Sequence, residues 1–398
     1  MNMTIQKIEN EIVNKHLPFW MGLRDEKYGG CYGYMDGYGN VDKEADKAVL
    51  LISRNLCFFS EVYTVYPDPK VKDIADSYYD YINAHFFDAD GGVIYSVSYD
   101  GKVKDDTKNV YFHAFVIYAF MKYYQAFGQS EALKRALKLF YYIEDKFRAK
   151  IAYNEQLYSA KRSENMIADK GVKCYKTMNS LLHLLESYTL LYKFSKSSAV
   201  RAALKNLLVL FNDKIYSPQK GRLEVFFDDN LNSISDYHSY GHDIEASWLL
   251  DYAAEVLADG ILTGKTHRMT DHLCSTVYKE GFDGEAILNE KVNGAVDSDR
   301  IWWVQAEAVL GFQKNYERTG ELRYRAVAEK LFDYISRYII SDDLDWYWKV
   351  GADNRPDFSM PMVSAWKCPY HSGRMLVEMF KTERVAVKKQ VQLEGAGA

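Results

Sequence analysis

The sequence predicts an all-α protein built as an (α/α)6 barrel, a toroid of six helical hairpins with short β-hairpins in its loops. Three observations support this fold class. Helical periodicity dominates the 398-residue chain, about twelve segments show it, and they recur in pairs about 50–60 residues apart. This spacing is also compatible with an open helical solenoid, which is the main alternative.

Two kinds of gap separate the helical segments. Within a pair the gap is short, as at FGQS (127–130) and RTGE (318–321). Between pairs the gaps are longer and combine turn residues with alternating aromatic and β-branched residues, as in FDADGGVIYSVSYDGKV and SPQKGRLEVFFDDNLN. We expect helices near residues 4–18, 43–65, 69–86, 108–127, 130–149, 175–194, 197–214, 240–257, 266–280, 300–318, 321–339 and 366–381.

The chain contains few features that would divide it. It has only 7 Pro and no low-complexity linker, so we expect a single catalytic domain over residues 1–385. The last stretch, residues 386–398, lacks a core pattern and is expected to be a disordered tail.

Charge and cysteine usage exclude several classes of protein. The net charge is −5 with both signs mixed and no basic patch, which argues against a nucleic-acid partner. The 5 cysteines are scattered and lack CxxC spacing, which argues against a disulfide framework and a zinc site. The amphipathic N-terminus is unlike a signal peptide, and no apolar run is long enough to cross a bilayer. We expect a cytoplasmic protein with no membrane partner.

Polar side chains interrupt the apolar faces of the predicted inner helices. They lie in the stretches SRNLCFF, KTMNSLLHLLESYT, SYGHDIEASW, RIWWVQAEAVLGF and WKCPYHSGRM. Spacings of three or four residues place polar or aromatic pairs on one helix face. The candidate pocket residues are Arg54, Asn179, His183, Glu186, His242, Glu245, Trp303, Glu307, Trp366, Lys367 and His371, with His113 as a weaker candidate.

Each candidate has an ordinary structural alternative. Arg54 can pair with a structural carboxylate, and a histidine among leucines, such as His183, is more often a satisfied core residue. Glu245 can accept hydrogen bonds from first-turn amides, where the helix dipole favours a carboxylate. In a closed barrel, however, one end of every inner helix faces the same pocket, so the candidates would converge. The other histidines (His16, His85, His238, His267 and His272) are assigned no role.

The combined inventory indicates proton-transfer chemistry. It lacks a nucleophile elbow, a phosphate-binding glycine loop and a metal-ligand spacing such as HExxH. Imidazoles titrate near neutral pH and can accept and return protons. We therefore expect an enzyme that needs no metal and no other cofactor.

These stretches, in this order, resemble the N-acylglucosamine 2-epimerase superfamily, and within it the branch that epimerises cellobiose. The resemblance spans residues from about 20 to 380 and includes GYMDGYGNVDKEADKAVLLISR. SYGHDIEASW and WKCPYH are the most specific parts of the match. The family fold is an (α/α)6 barrel, in agreement with the helix count.

The resemblance implies roles for individual residues. His242 and His371 are implied to be the acid/base pair, His183 a third essential histidine, and Arg54 a contact to the reactive oxygens. The residues implied to bind substrate are Asn179, Glu245, Trp303, Glu307 and Trp366, with His113 at the pocket wall. Two positions depart from the family: Cys57 replaces the usual Trp, and His113 replaces an amide such as Gln.

The implied activity is inversion of C2 in the reducing-end sugar of a β-1,4-linked disaccharide, such as cellobiose, mannobiose or lactose, by ring opening and an enediolate. One alternative is an (α/α)6 glycoside hydrolase that uses Glu245 and Glu307. Others are an aldose–ketose isomerase and a non-catalytic sugar-binding or scaffold protein. We expect a monomer or a weak homodimer.

Overall fold

The computed structural model describes residues 5–157 and 172–396 of the chain. Its helices alternate in direction along the sequence, and several include a π-helical turn. The helices are α1 (Ile5–Glu11, the π-turn Ile12–His16 and Leu17–Gly22), α2 (Val49–Val65), α3 (Pro69–His85), α4 (Val110–Phe127), α5 (Ser130–Lys146), α6 (Met178–Ser195), α7 (Ser198–Leu210 and the π-turn Phe211–Ile215), α8 (Tyr240–Leu257), α9 (Gly260–Thr276 and the π-turn Val277–Gly281), α10 (Trp302–Thr319), α11 (Leu322–Tyr334 and the π-turn Ile335–Ile339) and α12 (Tyr370–Ala396).

The even-numbered helices form a closed inner ring. Each of α2, α4, α6, α8 and α10 packs against the next, and α12 packs against both α10 and α2. Helices α3, α5, α7, α9 and α11 pack outside, each on the inner helix that precedes it, and α1 packs on α12. The predicted (α/α)6 barrel is therefore confirmed, and the open solenoid is wrong.

Short strands occupy the connections, as predicted. They form six antiparallel sheets of two or three strands within the described residues. The strands are β1 (Tyr34–Met35), β2 (Val41–Asp42), β3 (Lys47–Ala48), β4 (Ser96–Val97), β5 (Val103–Asp105), β6 (Lys176–Thr177), β7 (Tyr216–Ser217), β8 (Arg222–Leu223), β9 (Phe226–Phe227), β10 (Tyr237–Ser239), β11 (Glu290–Val292), β12 (Ala295–Asp297), β13 (Arg300–Ile301) and β14 (Lys349–Val350).

The strands anchor the N-terminal ends of inner helices. Strands β3, β6, β10 and β13 each lead directly into an inner helix and pair with a strand of the next inter-hairpin connection, namely β4, β9, β11 and β14. The first amides of α2 and α10, at Val49 and Trp302, also donate to backbone carbonyls in those connections, at 2.9 and 3.0 Å. These bonds satisfy amides that a helix start leaves unpaired, so this end of the barrel is held firmly.

Helix ends differ from the expected ones where local chemistry decides them. The last helix begins at Tyr370, not at 366, because the residue before Pro369 is disfavoured in the α region. It continues to Ala396, so residues 386–396 are helical where the sequence predicted a disordered tail. Residues 397 and 398 lie outside the described part of the chain.

One core joins the whole barrel. The buried apolar side chains form a continuous cluster that runs from Ile8 on α1 to Met379 on α12. We propose on this basis that residues 1–385 form a single domain. Within the described residues, the helices do not combine the length and apolar character that crossing a membrane requires.

Candidate active site

The candidate side chains gather at the N-terminal ends of the inner helices. Nine of the candidates lie in the first three turns of an inner helix and belong to one interacting set: Arg54, Asn179, His183, Glu186, His242, Glu245, Trp303, Glu307 and His371. Trp366 and Lys367 stand in the connection just before α12, and His113, although near the start of α4, lies outside the set. All six inner helices run parallel to one another along the barrel axis. Their first turns therefore meet at one end of the barrel. The structure therefore brings together residues that are far apart in sequence.

A buried arginine organises the centre of the site. The Arg374 guanidinium donates from Nη1 to Glu186 Oε1 at 2.6 Å, and from Nη2 to Glu245 Oε1 at 2.7 Å and Glu307 Oε1 at 2.5 Å. All four side chains are nearly inaccessible to solvent. Buried carboxylates are costly unless paired, and here one cation serves three of them.

His371 is held by one of these carboxylates. Its Nδ1 lies 2.7 Å from Glu307 Oε1, and the second oxygen of Glu307 accepts from Trp248 Nε1 at 3.2 Å. Burial, aided by the positive charges of Arg374 and Arg54, holds the pKa of His371 well below its usual 6.5. His371 is therefore neutral near pH 7 and able to accept a proton.

His183 is held in a similar way on the other side of Arg374. Its Nδ1 lies 3.0 Å from Glu186 Oε2, and the Tyr370 hydroxyl donates to the same carboxylate oxygen at 2.6 Å. Burial would raise the pKa of Glu186, but Arg374 and these partners outweigh it and lower the pKa to about 2. Burial lowers the pKa of His183, so this imidazole is also neutral near pH 7.

Arg54 forms the cationic wall near His183. Its Nη2 donates to the Tyr111 hydroxyl at 2.6 Å, and its guanidinium lies 4.2 Å from the Phe115 ring centroid. The Tyr111 ring contacts His183 edge-on at 5.3 Å between centroids, and the Trp366 ring at 5.9 Å. Trp366 is 46% exposed, so it borders the entrance to this part of the site.

Asn179 lies beside Tyr111 and lowers the pKa of its hydroxyl by hydrogen bonding, although burial raises that pKa overall to about 12. The Oδ1 atom of Asn179 is buried and has no hydrogen-bond partner among the described residues. An unsatisfied buried acceptor is rare in proteins, so this oxygen is suited to accept from a ligand hydroxyl.

Trp303 lies between the imidazole rings of His242 and His371. Its ring centroid is 4.8 Å from that of His242 and 5.4 Å from that of His371. His242 Nδ1 lies 2.7 Å from the hydroxyl of Ser239, which caps α8. Two histidines on different helices thus share one aromatic wall.

Glu245, Glu307 and His371 also offer three ligand atoms within 4.8 Å of one another, a geometry that could hold a metal ion. The Arg374 guanidinium, however, already donates to both carboxylates. A metal ion bound at the same oxygens would be repelled by the positive charge of this guanidinium. These residues therefore fit a guanidinium better than a metal.

His113 does not belong to this set, which corrects the expectation that it lines the pocket. Its Nδ1 lies 2.8 Å from the Asn109 carbonyl, and its Nε2 accepts from the Val93 amide at 2.9 Å. The ring stacks on Tyr142 of the outer helix α5. Both ring nitrogens are used within the protein, and burial lowers the pKa to about 4. His113 is a neutral core histidine.

The sequence interpretation missed several residues of the network, among them Tyr111, Trp248, Tyr370 and Arg374. Arg374 had a usable signal, because an arginine within the apolar run SGRMLVEMF is as unexpected as Arg54 within SRNLCFF. The tyrosines had none, since the chain contains 33 of them.

The fold and the site together define a toroidal helical enzyme that gathers three imidazoles and an arginine at one end of the barrel. The family model for N-acylglucosamine 2-epimerase (GlcNAc 2-epimerase) matches residues 30–372. A cellobiose 2-epimerase of Eubacterium cellulosolvens is 39% identical over 96% of this chain and 99% of its own length.

Solved structures agree. A sugar epimerase from a ruminal bacterium superposes with a TM-score of 0.92 at 37% identity, covering 96% of this chain and 99% of its own. The cellobiose 2-epimerase of Bacillus thermoamylovorans gives 0.91 at 35% identity, covering 95% and 99%. The chain therefore belongs to the N-acylglucosamine 2-epimerase family, and it is a carbohydrate epimerase, an enzyme of the isomerase class.

Proposed function

We propose that this protein inverts C2 of the reducing-end sugar of a β-1,4-linked disaccharide, converting cellobiose to glucosyl-mannose. The observation that carries the proposal is the pair of imidazoles, His242 and His371, that share Trp303 as a wall. Curated relatives at 35–39% identity are named cellobiose 2-epimerase, which supports the same substrate class.

The reaction needs two proton transfers at one carbon. Once the sugar ring opens, the C1 aldehyde makes the C2 proton acidic. One imidazole removes this proton, the electrons of the C2–H bond form a C1–C2 double bond, and negative charge collects on O1. A second imidazole then returns a proton to the opposite face of C2, and the aldehyde re-forms with inverted configuration.

Hydrogen bonding supports a starting role for each of the two histidines. Burial raises the pKa of Glu307, and the bonds that this carboxylate accepts from Arg374 and Trp248 oppose that rise. In its ionised form Glu307 accepts Nδ1–H of His371. Nε2 of His371 then keeps its lone pair and acts as the base. His242 acts as the acid in its imidazolium form: Ser239 Oγ, 2.7 Å from Nδ1, can accept Nδ1–H, and the proton on Nε2 is the one that returns to C2 and leaves a neutral ring. In the reverse reaction the roles exchange.

Two features stabilise the enediolate. Arg54 brings a buried positive charge to the pocket, and the first turns of six inner helices direct partial positive charge toward it. Preorganised charge of this kind contributes roughly 3–4 kcal/mol per donor in other enzymes. Asn179 binds a sugar hydroxyl in this proposal, which its buried and unpartnered Oδ1 supports.

The bonding of Glu307 disfavours the hydrolase alternative. Both oxygens of Glu307 are engaged, by Arg374 and His371 on one side and by Trp248 on the other. A glycosidase needs one carboxyl group to deliver a proton to the leaving oxygen and a second to act as nucleophile or base. Glu307 acts instead as an orienting partner of His371.

Mannobiose and lactose are further candidate substrates, because they also present a reducing-end aldose. We propose a monomer or a weak homodimer in the cytoplasm. The five cysteines all lie in the described part of the chain and are free and buried, which fits a reducing compartment.

Incubation with cellobiose in heavy water tests the proposal. We expect glucosyl-mannose that carries deuterium at C2, measured by NMR and mass spectrometry. A ketose product would instead identify an aldose–ketose isomerase, and free monosaccharides would identify a hydrolase. The absence of any turnover would indicate a sugar-binding protein.

A further inference from the structure

A second buried histidine network lies outside the set described above. His16, on helix α1, is 1% exposed, and its Nδ1 lies 2.6 Å from Asp345 Oδ1. Its Nε2 lies 3.1 Å from the hydroxyl of Ser372. The other oxygen of Asp345 accepts from Lys367 Nζ at 3.2 Å. These four residues come from α1, α12 and the connection between α11 and α12.

The order Ser372–His16–Asp345 imitates the connectivity of a nucleophilic triad. Ser372 is fully buried, and the His16 ring is enclosed by Phe58 and Trp346 at 5.1 and 6.2 Å between centroids. A substrate carbonyl has no approach to such a serine. The network must therefore serve to hold other parts of the protein in position.

The position of the network in the chain indicates which segment it holds. Ser372 directly follows His371, and Lys367 directly follows Trp366. His16 and Asp345 thus hold both ends of the segment 366–372, which carries one implied acid/base residue and one implied substrate-binding residue. Two carboxylates hold this segment from the other side: Glu307 bonds His371, and Glu186 accepts from Tyr370.

We propose that His16 is a positioning residue for epimerisation, which orients His371 through Ser372 and Trp366 through Asp345 and Lys367. This inference rests on the proposed function, in which His371 transfers the C2 proton. Small displacements of a reacting group, of the order of 1 Å, can cost about a hundredfold in rate. The N-terminal helix then contributes to the catalytic geometry through His16, which bonds Asp345 and Ser372 and no member of the set around Arg374 in the described contacts.

The sharpest test compares two serine substitutions. Ser372→Ala removes one hydroxyl from the network and retains a helix-favouring residue. Ser53→Ala is the matched control: Ser53 is fully buried, directly precedes Arg54, and donates only to Leu50 O of its own helix. We expect Ser372→Ala to lower kcat for cellobiose by about tenfold to a hundredfold, with KM changed less than about twofold. Ser53→Ala should leave both constants near the wild-type values.

Substitutions at His16 separate positioning from bulk packing. His16→Leu fills a similar volume without hydrogen bonds, whereas His16→Gln can still donate to Asp345 and accept from Ser372. We expect Gln to retain clearly more activity than Leu at similar melting temperatures. The double variant His16→Leu/Ser372→Ala should lose no more activity than the worse single variant, because both changes break one network.

Wild-type kcat in Ser372→Ala, or equal kcat in the Gln and Leu variants, would overturn the inference. A lowered melting temperature with unchanged kcat would show a purely structural role and would overturn it as well. Failure of the proposed function is distinguishable, because the wild-type enzyme would then not form glucosyl-mannose, or His371→Ala would retain full activity.

Discussion

At the scale of single residues, a buried imidazole meets two opposing influences. Burial disfavours its charged form, whereas a neighbouring carboxylate favours it. For His371 and His183, burial prevails and the pKa is lowered. Both rings are therefore neutral near pH 7. In the proposed mechanism, Glu307 fixes the tautomer of His371 and stabilises the imidazolium that forms when this ring accepts the C2 proton.

The first prediction concerns the two histidines of the proposed acid/base pair. His242→Ala and His371→Ala should each lower epimerisation by at least about a hundredfold, the low end of what a positioned acid or base contributes. His183→Ala should also be severe. His267→Ala is the control, because this ring lies away from the site on α9 and is partly exposed. Full activity in either His242→Ala or His371→Ala, in folded protein, would contradict the assignment.

The second prediction concerns the acid limb of the pH–rate profile. His371 must be neutral to accept the C2 proton, and its pKa lies well below 6.5. The value of kcat/KM should therefore hold as the pH falls through 6.5 and decline only at lower pH, near the folded-state pKa of this group. A profile measured from about pH 4 to pH 9 checks this. An acid limb centred above 6.5 would be inconsistent with a buried, neutral base.

The free energy of unfolding should also decrease as the pH falls. The unfolded chain protonates His371 near 6.5, whereas the folded protein resists protonation to lower pH. The unfolded state thus binds more protons in this window, so stability decreases as the pH falls from 6.5 toward the folded-state pKa. His113, with a pKa of about 4, contributes in the same sense.

Sequence patterns revealed the residues of the site better than their partners. Helical spacing placed Asn179 with His183 and Trp303 with Glu307, because such pairs depend only on local geometry. The bond between Arg374 and Glu186 joins residues 188 positions apart, and only the closed ring brings them together. Gly241 illustrates the same limit: a Cβ there would lie 2.6 Å from Trp303 Cη2, a constraint that no local pattern encodes.

At the scale of elements, the inner helices differ at their two ends. Their N-terminal ends are anchored by strands and carry the site, whereas several C-terminal ends close with a residue in the left-handed conformation. These closing residues are Gly128 after α4, Lys196 after α6, Ala258 after α8 and Gly320 after α10. Glycine adopts this conformation without strain, whereas lysine and alanine do not.

The third prediction follows from this difference. Ala258 is exposed with φ of 56°, so Ala258→Gly should raise stability by about 0.5–1 kcal/mol, since it relieves the left-handed strain. Gly128→Ala should lower stability by about 1–2 kcal/mol, because a Cβ there would meet nothing within 4 Å and only the backbone term remains. Denaturant unfolding checks both, and kcat should change in neither. A destabilising effect of Ala258→Gly would contradict the argument.

At the scale of the whole molecule, the sequence predicted the number of helices and the closed ring but not how the ring closes. Five hairpins join helices separated by a short turn, which the chain shows directly. The sixth pair consists of α1 and α12, whose partnership spans nearly the whole chain. Its contacts, such as His16 with Ser372, 356 positions apart, arise only when the ring is complete.

The fourth prediction tests whether the two chain ends contribute equally to that closure. Ile8, Ile12 and Trp20 of α1 are 0–3% exposed within the common core. Loss of buried side chains of this size costs about 2–5 kcal/mol each, against a total stability of about 5–15 kcal/mol for a typical protein. Deletion of residues 1–22 should therefore abolish cooperative unfolding and activity.

Deletion of residues 388–398 should by contrast leave the melting temperature and kcat unchanged. The last turn of α12 with described side chains, residues 384–387, is exposed, and the ion pair from Arg325 reaches only as far as Glu383. Circular dichroism melts and cellobiose turnover of the two truncated chains provide the comparison. If the chain without residues 1–22 unfolded cooperatively and turned over cellobiose, α1 would be an accessory helix, and the positioning role of His16 would fall with it. If instead the C-terminal deletion destabilised the barrel, the helical residues after Val387 would belong to the domain, contrary to the boundary proposed at residue 385.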